Sequence, residues 1–461
     1  MLRLYDLASE QVAPLAPTPG ATVGLYVCGP TVYGPPHLGH GRLVLVFDVL
    51  RRWMQARGLS VRHVENITDV DDKIIDRAMR EHRRPEEIAE EAEAQWWAAM
   101  DRLGALRPHE SPHATDWIAE MVELVAKLLE RQAAYATSDG VYFDTRVVAD
   151  YGLLKHQDVE RLLAGARVAP NEEKRAPADF ALWKAAKPGE PSWEAPFGAG
   201  RPGWHTECVA MSLGILGEGF ELHGGGADLI FPHHENERAQ AVALGRPFAR
   251  RWLHSGLLTV EQEKMSKSLN NYVTLDDLLA AEDARALRLV VCRAHYRSPL
   301  EAGADVIAQA SATLERIDAL AQRLGELPSA AVPPAAVGEA AALGERVAEA
   351  MDDDLDTPSA LGALFSGLRR ANALLDAGDH VGGGALGRAV IEGLEILGLV
   401  PVAPGGADAE AEALLAARDA ARAGGDYATA DRLRDELAAR GWRVEDGPAG
   451  SRLRRDVAPA R

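Results

Sequence analysis

Cysteine is scarce in this chain: three in 461 residues, at Cys28, Cys208 and Cys292. An odd, sparse set excludes a disulfide scaffold and points to a reducing compartment. Each thiol is then either a metal ligand or a buried small hydrophobe. Long apolar runs are also missing, so no membrane span is expected. The first residues, Met1-Leu2-Arg3-Leu4-Tyr5-Asp6, lack the apolar core and small-residue cleavage site of a secretory signal, and a cytoplasmic location is expected. No repeat at a solenoid period is found. A basic surplus is absent too, with 50 Lys and Arg against 69 Asp and Glu and a net charge of −19. That excludes a protein that coats nucleic acid non-specifically. Short basic clusters remain at Arg51-Arg52, Arg250-Arg251 and Arg452, Arg454 and Arg455, each of which alone reads as solvated surface.

What is present is a globular composition, 47% hydrophobic and 26% charged, in a chain long enough for two to four domains. Residues 22–28 read as a buried strand, followed by a turn-rich loop to Pro36. A helix then starts near His40, with Leu43, Val46, Phe47, Leu50 and Met54 as its core stripe. Residues 60–67 read as a second strand. Strand, helix, strand predicts a parallel sheet, with a ligand at the carboxyl end of the first strand. Residues 73–135 are expected to be mostly helical, and 136–203 to form an insertion. A helix around 205–216 carries Cys208. A strand ending in Gly224-Gly225-Gly226 follows, and Phe231-Pro232-His233-His234-Glu235-Asn236-Glu237 opens another helix, with the proline near its first turn. Beyond about residue 277 the chain reads as helical, with linkers at 328–336 and 401–406 and a loop at Gly382-Gly383-Gly384. Residues 408–461 read as a small terminal unit.

Two constellations carry chemistry. His37 and His40 sit at a strand-to-helix turn, where ring and backbone N–H groups can hold phosphate oxygens. The bland alternative is one histidine capping the helix and one on the surface. Lys264 and Lys267, in Lys264-Met265-Ser266-Lys267-Ser268, are point charges suited to a departing pyrophosphate, or else a solvated loop. Gly224–Gly226 would admit close approach of a nucleotide, or form a plain turn. The second constellation is His233 and Glu237, one helical turn apart. With Cys28 and Cys208 they offer two sulfurs, a nitrogen and an oxygen, a set plausible for zinc. His234 is the rival to His233, but rotating the helix toward it would bring Arg238 into the metal shell, which favours His233 with Glu237.

These residues resemble the class I aminoacyl-tRNA synthetases. Pro30-Thr31-Val32-Tyr33-Gly34-Pro35-Pro36-His37-Leu38-Gly39-His40 is similar to their first signature and Lys264–Ser268 to their second. Cys28-Gly29-Pro30-Thr31-Val32-Tyr33, Gly203–Cys208, His223-Gly224-Gly225-Gly226 through Glu237 and the terminal run Asp426–Trp442 resemble the cysteine-specific branch. One departure is Asn270-Asn271, where Leu-Gly-Asn is more usual.

The resemblance implies an α/β fold: a Rossmann-type parallel-sheet catalytic domain with an insertion, then a helical bundle and a small C-terminal anticodon-binding domain. The boundaries expected are 1–115 and 204–300 for the catalytic halves, 116–203 for the insertion, 301–400 for a tRNA-contacting bundle and 408–461 for the terminal unit. It implies zinc on Cys28, Cys208, His233 and Glu237. It implies ATP, with Mg²⁺, on His37, His40, Gly224, Gly225 and Lys267, supported by Lys264. Thr31, Trp204 and His223 would lie near the substrate. The implied reaction joins cysteine to ATP and then to the cognate tRNA, in a monomer without membrane attachment. Trp442 is either a stacking platform for the anticodon or a core residue. Two rivals stand: a ligase passing cysteine to an amino sugar, as in mycothiol synthesis, and a catalytically dead binding paralogue.

Overall fold

The computed structural model describes residues 1–17, 20–156, 172–260, 263–264, 274–327, 334–402, 409–440, 442–447 and 450–455. Four strands form its parallel sheet: β1 (Val23–Val27), β2 (Val61–Glu65), β3 (Leu222–Gly226) and β4 (Trp252–Ser255). Their spatial order is β4-β3-β1-β2, and every neighbouring pair runs parallel. All five residues of β1 are buried, which is why it reads as a continuous apolar run rather than an alternating one. The crossovers leave β1 in opposite directions, to β2 on one side and to β3 on the other. The carboxyl end of β1 is therefore a topological switch point, where open α/β sheets hold ligands.

Helix α1 (Leu38–Ala56) follows β1 and buries Leu45, Val46, Phe47, Leu50 and Met54. Arg42, on the same helix, is 2% exposed and donates to the carbonyls of Leu257, Tyr296 and Ser298. Burial pulls its pKa down to about 10. Helix α2 (Trp204–Leu216) and helix α3 (Glu235–Ala243) lie either side of β3 in sequence. Between β2 and α2 the chain builds helices at Asp72–Glu81, Pro85–Arg102 and Ile118–Glu130. It then adds a separate antiparallel sheet from Ala134–Thr137, Gly140–Phe143, Phe180–Ala185 and Gly200–Pro202.

The chain divides into two compact units. The first comprises residues 1–275, 294–301 and 351–356 and contains both sheets just described; the second comprises 276–293, 302–350 and 357–461. In the second, helices Ala284–Cys292, Ala304–Gly325, Thr357–Asp376 and His380–Ile396 bury leucine and alanine stripes. The glycines at 382–384 lie inside the last of these helices, not in a loop. The reason is close packing: a Cβ at Gly383 would stand 2.8 Å from Leu375, and one at Gly387 2.7 Å from Leu324. Helices Ala409–Ala423 and Tyr427–Ala439 and the hairpin Trp442–Gly447/Gly450–Arg455 end the unit. Most of the linker stretches expected at 328–336 and 401–406 fall outside the described residues.

Candidate functional site

Cys28 leaves the end of β1, and four further segments converge on it. Its Sγ lies 3.6 Å from Cys208 Sγ on α2, with no disulfide between them. Glu237 Oε1 on α3 is 3.5 Å from Cys28 Sγ and 2.9 Å from His233 Nε2. His233 Nε2 is in turn 3.6 Å from Cys208 Sγ. One donor atom from each of these four residues lies within 4.8 Å of the others, and all four are buried. Cys28, Cys208, His233 and Glu237 are thus brought together as the sequence predicted. Cys292 is buried in the second unit and takes no part.

The electrostatics favour a cation. Burial, then the neighbouring Cys208, pushes the Cys28 thiol well up. Burial also opposes ionisation of Cys208, but its hydrogen bond with Cys28 and the His233 beside it hold it at about 6. Burial disfavours a charged His233; Glu237 and Cys208 outweigh that and push it up to about 10. Glu237 stays well below the carboxylate range despite burial, because His223 and His233 face it. The cluster thus stabilises positive charge at its centre. The donor set also fits a tetrahedral ion in size, since two sulfurs each about 2.3 Å from one stand about 3.8 Å apart. This buried group could hold a metal ion.

The surrounding shell was only partly legible. His223 Nε2 is 2.6 Å from Glu237 Oε2 and stacks on Trp252. His205 Nδ1 is 2.9 Å from His233 Nδ1, which turns the Nε2 of His233 toward Cys208 and Glu237. Trp204 stacks on the His233 ring with centroids 4.1 Å apart. His234, set aside in favour of His233, also enters: its Nε2 is 3.3 Å from Cys28 Sγ and its Nδ1 2.7 Å from His254. Cys28, His223, His234 and Glu237 form a second possible donor group. His233 joins Cys28, Cys208 and Glu237 as expected, and His234 reaches Cys28 as well because Ile230–His234 is a wide turn with Phe231 extended, not regular α-helix. Arg238 points elsewhere, to Asp150 and Glu235.

The glycines of β3 have a packing reason. A Cβ at Gly224 would stand 2.3 Å from the Phe47 ring, and one at Gly225 2.6 Å from His234. Their missing side chains make room for the site's own residues.

The histidine turn lies at the start of α1. His37 is the N-cap, and its Nδ1 accepts from Gly39 N at 3.1 Å. His40 Nδ1 accepts from His37 N at 3.2 Å, closing a reciprocal cap. The rings stack with centroids 3.7 Å apart. Burial, with His37 and Lys73 nearby, holds His40 well below its usual value, so its ring is neutral. A neutral ring that accepts at Nδ1 carries its proton on Nε2. Capping and phosphate binding, posed as alternatives, are therefore compatible: the cap fixes the tautomer that makes Nε2 a donor. His40, Thr31, Tyr33 and Trp96 line one small cleft beside this turn.

Lys264 is described through its backbone, in a short strand opposite Thr259. Lys267 and Asn270-Asn271 lie outside the described residues.

Residues 14–312 match the family of class I (C) tRNA synthetase catalytic domains, 346–400 a DALR domain, and 405–454 a cysteinyl-tRNA ligase anticodon-binding domain. A cysteine–tRNA ligase of Clavibacter michiganensis is 46% identical over 98% of both chains. The chain belongs to the cysteine–tRNA ligase family. One from Alkalilimnicola ehrlichii is 43% identical over 99% of this chain and 100% of its own. In solved structures the fold is similar to a Mycobacterium tuberculosis methionyl-tRNA synthetase in complex with methionyl-adenylate. That likeness has a TM-score of 0.60 at 17% identity, covering 82% of this chain and 90% of that one. No helix among the described residues is long and apolar enough to cross a membrane.

Proposed function

We propose that this chain activates cysteine with ATP and transfers it to the 3′ end of its cognate tRNA. The observation that carries this reading is the buried Cys28, Cys208, His233 and Glu237 cluster at the switch point of a synthetase sheet. In the first step the cysteine carboxylate attacks the α-phosphorus, giving cysteinyl-adenylate and pyrophosphate. In the second the terminal ribose hydroxyl takes the cysteinyl group and AMP leaves. No protein nucleophile is needed, so positioning and charge stabilisation supply the rate.

His37 and His40 present Nε2–H donors to the ATP phosphates, held in place by the reciprocal cap. Lys264 and Lys267 neutralise the departing pyrophosphate, and Mg²⁺ accompanies the ATP. Gly224 and Gly225 keep β3 close to Phe47 and His234 beside the nucleotide. Thr31, Trp204 and His223 border the amino acid. The four-residue cluster would hold zinc, with His205 and His223 orienting its ligands. Zinc, when bound, favours a thiolate over a hydroxyl, which is the difference between cysteine and serine.

We assign the antiparallel sheet to the insertion within 116–203 and anticodon reading to the unit at 408–461. The match at 405–454 favours tRNA over an amino-sugar acceptor. Cysteine-dependent ATP–pyrophosphate exchange followed by charging of purified tRNA tests the reading. Exchange with transfer only to an amino sugar would replace it; no exchange at all would indicate a binding paralogue.

A further inference from the structure

A cation that belongs to neither signature stands beside the histidine turn. Lys73 lies in the first turn of helix Asp72–Glu81, and its side chain is exposed. Its ammonium sits over the Tyr33 ring, 5.0 Å from the ring centre. Four residues on, Arg77 donates to the Tyr33 carbonyl at 3.1 Å. One face of this helix thus holds Tyr33 by its ring and by its backbone. Tyr33 in turn lines the small cleft that it shares with Thr31, His40 and Trp96.

The two cations differ in what neutralises them. Arg77 pairs with Glu81 at 2.7 Å and with Glu91 at 3.1 Å, so its role is structural. The acids next to Lys73 are occupied otherwise. Asp71 accepts the Lys73 backbone N–H as the helix cap, and Asp72 pairs with Lys184 and Arg201. The Lys73 ammonium makes no ion pair among the described residues. The Tyr33 ring orients that ammonium and leaves its full charge in place. The charge also reaches His40: burial first, then His37, then Lys73 hold that imidazole below its usual value.

We propose that Lys73 is a further phosphate-binding residue of the activation step, with its ammonium on the terminal phosphates of ATP and on the pyrophosphate that leaves. This rests on the reading of the chain as a cysteine–tRNA ligase. Its neighbourhood with His40 favours ATP over a phosphate of the tRNA, because the His40 Nε2–H serves the same phosphate chain. Lysine suits the task. Its ammonium is a point charge on a flexible stem, and it can follow phosphate oxygens as the bond to the α-phosphorus breaks. Tyr33 holds it beside the site until ATP arrives.

The test uses the full chain with Lys73→Gln and, separately, Lys73→Arg. ATP and adenosine affinities are measured by calorimetry without cysteine, and ATP–pyrophosphate exchange and tRNA charging are measured alongside. Lys73→Gln should weaken ATP by about tenfold or more and raise the KM for ATP in exchange to match. Adenosine affinity, the KM for cysteine and the melting temperature should equal wild type, and Lys73→Arg should keep most of the ATP affinity. Unchanged ATP affinity and exchange in Lys73→Gln would overturn the proposal. So would a loss confined to tRNA charging, which would put Lys73 on the acceptor end. Equal weakening of ATP and adenosine would also overturn it, since Lys73 would then act only by holding Tyr33. A wild-type chain without exchange whose ATP affinity still falls in Lys73→Gln would sink the ligase reading and leave Lys73 on phosphate.

Discussion

At Cys208 the pull of neighbours outweighs burial. Cys28 and His233 hold its thiol at about 6, which is what a ligand requires near neutral pH. Cys208→Ala should lower zinc affinity by at least about 100-fold and weaken cysteine binding far more than ATP binding. Unchanged metal per chain by elemental analysis would refute the ligand assignment. Glu65 shows the opposite balance. It ends β2, is 4% exposed, and burial lifts its carboxyl to about 8 from a usual 4.5. A raised carboxyl pKa means that the folded state keeps its proton longer than the unfolded chain. The stability from neutral Glu65 is full below about pH 4.5 and is lost as pH rises toward 8. Glu65→Gln cannot ionise. Its stability should exceed wild type by a margin growing from pH 5 to 8, reaching on the order of a few kcal/mol. Parallel melting profiles across that range would contradict a buried, proton-holding Glu65. Trp442 is settled by burial as well. It is 6% exposed among Ala411, Leu437, Val444 and Leu453, so its ring is core and not a platform for an anticodon base.

At the scale of elements, periodicity located β1, α1, β2 and α2 closely, because each buries one face or all of itself. It failed at 382–384, where three glycines look like a loop but form a helix packed against Leu375 and Leu327. Two glycines on helices of the same bundle separate the two influences. Nothing lies within 4 Å of a Cβ at Gly344, so Gly344→Ala should stabilise by about 0.5–1 kcal/mol through helix propensity. Gly383→Ala meets Leu375 and the Ala371 carbonyl, and should instead cost about 1–3 kcal/mol. Thermal unfolding of both variants decides it, and equal shifts of one sign would mean that packing does not hold Gly383. The wide turn Ile230–His234 is the other failure. A regular helix sends adjacent side chains about 100° apart, so His233 and His234 seemed exclusive. The turn lets both face Cys28.

For the whole molecule, the division into two units places the buried four-residue cluster and the histidine turn together in the first. Net charge told little about the RNA partner, because affinity for a phosphate backbone depends on local positive charge rather than on the chain total. Family membership was legible from two short signatures, since each needs particular residue types at fixed spacing. The four donors were legible in the same way, as thiols, imidazole and carboxylate have few reasons to recur together.

The amino-acid sequence by itself determined the reaction class, the parallel sheet and the identity of the four donors, because those depend on residue type and local period. Only the tertiary structure decided the rest. It brought His223 and His234 to Cys28, set His205 against His233 and His254 against His234, made one cap of His37 and His40, and buried Trp442. Each of these depends on distances between residues far apart in the chain, and local sequence does not encode such distances.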